Sequence, residues 1–139
     1  MPNDGKSTHR YRNPTRWRAY MRAYMRRWRS PVMKVYAGIG SRETPAFIWG
    51  CMQARALILA AQGYTLRSGA ATGADFFFEK GALEGHGPTE IYLPWRNYNQ
   101  HPSTLLPTPE AFLMAEQFHP AWHQLSRGGR CLHARNSHI

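Results

Sequence analysis

Apolar positions recur along residues 14–28 with a helical period. Trp17, Tyr20, Met21, Tyr24, Met25 and Trp28 follow at intervals of 3, 1, 3, 1 and 3. That spacing keeps every large apolar side chain on one face and leaves the rest to arginines. Asn13-Pro14 reads as cap and first-turn proline, and Ser30-Pro31 stops the helix. Beyond it the pattern changes. Short apolar runs at about 34–38, 64–68 and 90–94 alternate with segments of helical period at about 45–62 and 74–83.

In the first of these helices Phe47, Ile48, Met52, Leu57, Ile58 and Ala61 form one broad face expected to be buried, and Gly63 suits the left-handed residue that closes it. Gly85-His86-Gly87-Pro88 ends the second. Residues 33–94 therefore read as β-α-β-α-β, an order that builds a parallel sheet with right-handed crossovers. The expected fold class is α/β: a Rossmann-like, three-layer arrangement on a short parallel sheet, preceded by a basic amphipathic N-terminal helix. A proline-rich loop follows at 95–109, carrying Trp95, Tyr98 and His101, and is too long to be a mere connector. A helix at 109–118 comes next, then a weaker helical piece at 121–125 ending at Arg127-Gly128-Gly129. The tail, Arg130–Ile139, is expected to start one more helix, which stops without a cap.

Both strand-to-helix junctions carry glycines. The first is Gly38-Ile39-Gly40-Ser41-Arg42-Glu43-Thr44-Pro45, with Thr44 as candidate N-cap and Pro45 as first helical residue. The second is Ser68-Gly69-Ala70-Ala71-Thr72-Gly73-Ala74-Asp75. Such turns aim backbone N–H groups and a helix dipole at one spot, where an anion is the natural occupant. In parallel sheets that spot lies beyond the carboxyl ends of the strands. Ser41 and Arg42 suit a phosphate, and equally a surface position with a capping serine. Gly73 would let backbone approach a ligand. Asp75 can accept from ribose hydroxyls or can serve its own helix N-terminus. Neither turn is a Walker A loop or a complete Gly-x-Gly-x-x-Gly. His119 and His123 stand four apart, but Pro120 lies between them and no third ligand is near, so no metal site is expected. No nucleophile with a histidine and acid partner emerges from spacing.

At 139 residues the chain holds one ordinary domain. Its net charge of +10 is uneven, because residues 1–31 carry nine basic side chains against Asp4 and account for +8. We therefore divide it into a basic leader, 1–31, whose first twelve residues read as disordered, and a nearly neutral domain, 32–139. The leader's helix can pack on the domain or a second copy, lie on an anionic membrane surface, or bind nucleic acid through Arg16, Arg18, Arg22, Arg26, Arg27 and Arg29. Cys51 and Cys131 fit neither a metal spacing nor a disulfide framework, so a reducing cytoplasm is expected. No apolar run approaches the roughly 20 residues needed to cross a bilayer.

Residues 33 to about 136 resemble the SLOG superfamily, the Rossmann-like group that includes the DNA-processing protein DprA and the cytokinin-activating LOG phosphoribohydrolases. The similarity lies in Ala37-Gly38-Ile39-Gly40-Ser41-Arg42-Glu43-Thr44-Pro45 and in Arg67-Ser68-Gly69-Ala70-Ala71-Thr72-Gly73-Ala74-Asp75. Ile91-Tyr92-Leu93-Pro94-Trp95, Phe118-His119-Pro120-Ala121-Trp122 and Leu132-His133-Ala134-Arg135-Asn136 are similar to segments of small stand-alone bacteriophage members. The resemblance implies a nucleotide or nucleotide-derived phosphate ligand held by Gly38, Gly40, Ser41, Arg42, Ser68, Gly69, Thr72, Gly73 and Asp75, to be sensed, sequestered or delivered. DprA-like handling of single-stranded DNA by the arginine leader is the alternative. The LOG signature Pro-Gly-Gly-x-Gly-Thr is absent, which disfavours N-glycosidic hydrolysis. A three-stranded sheet with both edges open further implies a second copy or partner chain that completes it.

Overall fold

A computed structural model describes residues 14–28 and 33–139. The polar segment 1–12, the Asn13 cap, Arg29 and the Ser30-Pro31 stop lie outside the described residues, as do the side chains of Arg27 and of the aromatic stripe apart from Met21.

Helix α1 covers Pro14–Trp28. The sheet is built from β1 (Val35–Ala37), β2 (Thr65–Ser68) and β3 (Thr89–Ile91), in the order β1-β2-β3 and parallel throughout. Helix α2 (Ala46–Ala61) connects the first pair and α3 (Ala74–Glu84) the second. Two further helices follow, α4 (Pro109–Phe118) and α5 (Arg127–Asn136). The molecule is thus α/β on a three-stranded parallel sheet, as the alternating pattern implied. The β3 edge is partly covered, because the Leu93 amide donates to the Leu105 carbonyl at 2.8 Å. Among the described residues, β1 is the open edge.

Leu66 at the centre of β2 is fully buried against Ala56 of α2, Ala82 of α3 and Ile91 of β3. The two helices approach closely because small residues line their contact. A Cβ added at Gly81 would lie only 2.1 Å from the Gln53 carbonyl oxygen. This contact overturns the expected face of α2 at four of its six positions, Phe47, Leu57, Ile58 and Ala61, while Ile48 and Met52 are half-buried. Ala56 and Ala60 point inward, while Phe47 is 80% exposed and Leu57 and Ile58 are also exposed. The helix is apolar almost all round, so periodicity could not choose its buried face, and the small residues that admit α3 did.

At the C-terminal end, Ala111, Ala115, Trp122 and Ala134 form a second cluster between α4 and α5. Helix α5 begins where the sequence reading placed a stop, and runs through Gly128 and Gly129. The Ser126 hydroxyl caps it by accepting from the Gly129 amide at 3.1 Å, and burial of Ala134 and Arg135 offsets the glycine penalty. Thr108 caps α4 in the same way through the Ala111 amide. Across the sheet from α2 and α3, Arg67 pairs with Glu90 at 2.6 Å and the His138 ring stacks on Tyr92, which brings the C-terminus over that face. No described helix is long and apolar enough to cross a membrane.

Candidate functional site

The two glycine turns meet at the carboxyl ends of β1 and β2. The Ala74 amide at the start of α3 donates to the Ser41 carbonyl at 3.2 Å. Gly73 has φ +80°, and a Cβ there would lie 2.6 Å from the Ser41 and Arg42 carbonyl oxygens. Only glycine satisfies both the left-handed backbone and this approach. Ser68 is fully buried and donates its hydroxyl proton to the Gly38 carbonyl at 2.7 Å, while the Gly38 amide donates to Arg67. Gly40 lies against Ala74. Thr44 does not cap α2: its hydroxyl donates back to the Ser41 carbonyl at 2.7 Å, and the helix starts after Pro45 without a side-chain cap.

An anion does sit where the amides converge, and it belongs to the chain itself. Asp75 Oδ2 accepts from the Gly69 amide at 3.1 Å and from the Ala71 amide at 3.4 Å, with the Gly40 amide also directed at it. Burial pushes the Asp75 carboxyl up from its ordinary 3.8, while these amides and the Arg135 guanidinium pull it back down. Arg135 comes from α5, is 6% exposed, and donates to the Gly69 carbonyl. A Cβ at Gly69 would overlap that guanidinium, so the Asp75 carboxylate and the Arg135 guanidinium, each bonded to the Gly69 backbone, together fill the centre of the turn. Of the two roles open to Asp75 in the sequence, holding its own turn is the one its contacts serve.

Open space lies beside the second turn rather than between the two. A cavity of about 620 Å³ is bounded by Ala70–Gly73, the outer side of α3, Trp49 of α2 and the 99–102 loop. Trp49 stacks on Phe77 with ring centroids 4.6 Å apart and planes 13° from parallel, giving an aromatic wall that Phe76 extends. Arg42 and Lys80 bring positive charge to it, and Arg42 is steadied by donating to the Tyr98 hydroxyl at 3.3 Å. Glu79 contributes a carboxylate. His101 Nδ1 accepts from the Ser103 amide at 3.1 Å, so its proton sits on Nε2 and is donated to Glu79 at 2.7 Å. The amides of Thr72 and Gly73 have no acceptor among the described residues.

Backbone strain gathers at the same place. Of the five described non-glycine residues with positive φ, Ala70, Asn99 and Gln100 all line this cavity, and Asn99 ties the loop to the turn by donating to the Ala70 carbonyl at 2.8 Å. Strained conformations persist where surrounding structure over-determines them, and they cluster at ligand sites.

No family model, characterised protein or solved structure matches the chain.

Of the residues singled out from the sequence, Arg42, Thr72 and Gly73 line the cavity. Ser41 is exposed beside it and uses its hydroxyl to accept from the Glu43 amide. Gly38, Gly40, Ser68, Gly69 and Asp75 instead hold the turns together. The sequence reading did not select Trp49, Phe77, Lys80 or Asn99. Arg135, which reaches the turn from 66 residues away, stands in the Leu132–Asn136 segment of the resemblance but carried no site role there, whereas Tyr98 and His101 stood out in the long loop. Among the described residues no group of three or more His, Cys, Asp and Glu side chains is placed to hold a metal ion. His119 packs edge-on to His133 at 4.3 Å, and His123 lies 3.9 Å from Glu116.

The leader arginines Arg16, Arg18, Arg22 and Arg26 are exposed on α1. Arg16 shares a second, shallower cavity of about 800 Å³ with Arg127 and Arg130 of α5 and with Trp122, over which Arg130 lies at 5.8 Å.

Proposed function

We propose that this chain binds a nucleotide or nucleotide-derived phosphate as a Rossmann-like, SLOG-type domain, in order to sense, sequester or deliver it in a bacterial cytoplasm. The ligand's seat is the cavity beside the second glycine turn. One observation carries this reading: the cavity sets the Trp49–Phe77 aromatic wall on the same space as Arg42, Lys80, Thr72 and Gly73, and the amides of Thr72 and Gly73 have no acceptor among the described residues. A planar base is apolar on its faces and suits the aromatic wall. Its phosphate suits a guanidinium and backbone N–H groups. Glu79, fixed by His101, offers carboxyl oxygens that can accept from a sugar hydroxyl. Isothermal titration of the full chain against nucleoside 5′-mono- and diphosphates tests the reading. At least one should bind, and Arg42→Ala should weaken it by about tenfold or more, the usual worth of a charge-assisted bond. Absence of heat across the panel, with no rise in Tm, defeats it.

A second reading, single-stranded nucleic-acid binding, is favoured by Arg16 of α1 sharing a cavity with Arg127, Arg130 and Trp122, since basic grooves with aromatics suit phosphate and base. Its affinity would fall steeply with salt and would be lost on deleting residues 1–31.

A further inference from the structure

Helix α2 carries a face that the fold leaves in water although its composition is that of a core. Phe47, Cys51, Ala54, Ile58 and Ala61 are all exposed and recur at intervals of 4, 3, 4 and 3, the seam of a two-helix packing. Gly50 and Leu57 border the seam and are exposed as well. Arg55 is the one charged residue in the helix. A helix that is apolar all round is ordinarily covered on every side.

We propose that a second copy of this chain covers it, through antiparallel packing of α2 on α2 about a two-fold axis at Ala54. The order of side-chain sizes argues for this occupant. An isologous interface requires that when residue i meets j, j also meets i. Pairing residues whose numbers are symmetric about 54 sets Phe47 against Ala61, Gly50 against Ile58 and Cys51 against Leu57, with Ala54 meeting its own copy at the axis. Each large side chain thus meets a small one, which lets the helices interdigitate. A parallel pairing would set Phe47 on Phe47 and leave Gly50 facing Gly50.

Charge points the same way. The domain is nearly neutral, and apart from Arg55 this helix carries no charge, so two copies can bring it together with little electrostatic cost. An acidic partner would be drawn to the arginines instead. A membrane surface would call for a cationic border, which Arg55 alone does not make. The helix is about 24 Å long and roughly 10 Å wide, so the pair removes on the order of 1,000 Å² from water. That is the scale of a concentration-dependent dimer. It differs from pairing at the open β1 edge, because it needs no strand.

Sedimentation velocity of the full chain over a range of concentrations provides the test, with Ala54→Arg alongside. Residue 54 is exposed and arginine is a good helix former, so the variant should keep its far-UV circular dichroism. The wild type should pass from monomer to dimer, and A54R should weaken association at least tenfold. Independently, Ala54→Cys in a Cys51→Ser, Cys131→Ser background should give a disulfide-linked dimer under mild oxidation. A wild type that stays monomeric throughout, assembles beyond a dimer, or associates equally well as A54R overturns the proposal, as does failure of A54C to cross-link.

Discussion

Asp75 Oδ2 lies 3.1 Å from the Gly69 amide nitrogen, so the carboxylate at the start of α3 fills the turn that leads into its own helix. The glycine turn is thereby pre-formed without a ligand, at the expense of a buried charge. Removing that charge leaves the Gly69 and Ala71 amides and the Arg135 guanidinium without it. Asp75→Ala should therefore destabilise the fold by about 1–3 kcal/mol, the usual cost of leaving buried donors unsatisfied. Urea denaturation followed by circular dichroism measures it, and a loss under about 1 kcal/mol would show that the pair does not hold the turn.

Arg135 should behave as the other half of the same unit. Arg135→Met removes the partner that lowers the Asp75 carboxyl and the donor to the Gly69 carbonyl. Its cost and that of Asp75→Ala should not add. The double mutant should fall short of the sum by roughly 0.5–3 kcal/mol, read from a denaturation cycle.

Acid should loosen the contact between α4 and α5. Burial first, and the neighbouring His119 second, hold the His133 imidazole below its ordinary 6.5. The folded chain thus takes up that proton less readily than the unfolded one. The stability this confers is fully present above pH 6.5 and is lost as pH falls through the lowered native value. Asp75 runs the opposite way: its contribution is fully present below 3.8 and is lost as pH rises through its raised native value. Thermal melts from about pH 7.5 to about pH 5 should therefore show a fall in Tm that is smaller in His133→Gln, whose side chain cannot titrate. Equal slopes in the two proteins would remove His133 from the account.

The alternating pattern of short apolar runs and helical segments was enough to read the three-stranded parallel sheet and the two turns at its carboxyl edge. Local chemistry was legible too, with Gly63 closing α2 at φ +78° and α4 running from Pro109 to Phe118. What failed to show was anything decided by distant contact. The orientation of α2 was hidden because Phe47, Ile58 and Ala60 look alike to a hydropathy pattern, and only the close approach of Gly81 to Gln53 separates them. Arg135 was hidden because nothing near it in sequence says that it ends at Gly69. Helix α5 was misread because two glycines outweighed a serine cap in the local signal. The cavity wall formed by Trp49 and Phe77 joins two helices whose pairing no spacing announces.

The aromatic wall gives its own prediction. Trp49→Ala removes the ring that stacks on Phe77 and should weaken nucleotide binding by about tenfold, within the range of a base–aromatic contact. Because Trp49 is part-exposed, Tm should fall by only a few degrees. Unchanged affinity would move the ligand away from this wall.

The most direct measurement is an amide chemical-shift map of the full chain during titration with a nucleoside 5′-monophosphate. The account predicts saturable shifts concentrated at Thr72, Gly73 and the Trp49 indole N–H, which in Arg42→Ala need about tenfold more nucleotide or beyond to reach the same extent. Shifts confined to α1, or none at millimolar nucleotide, would contradict it.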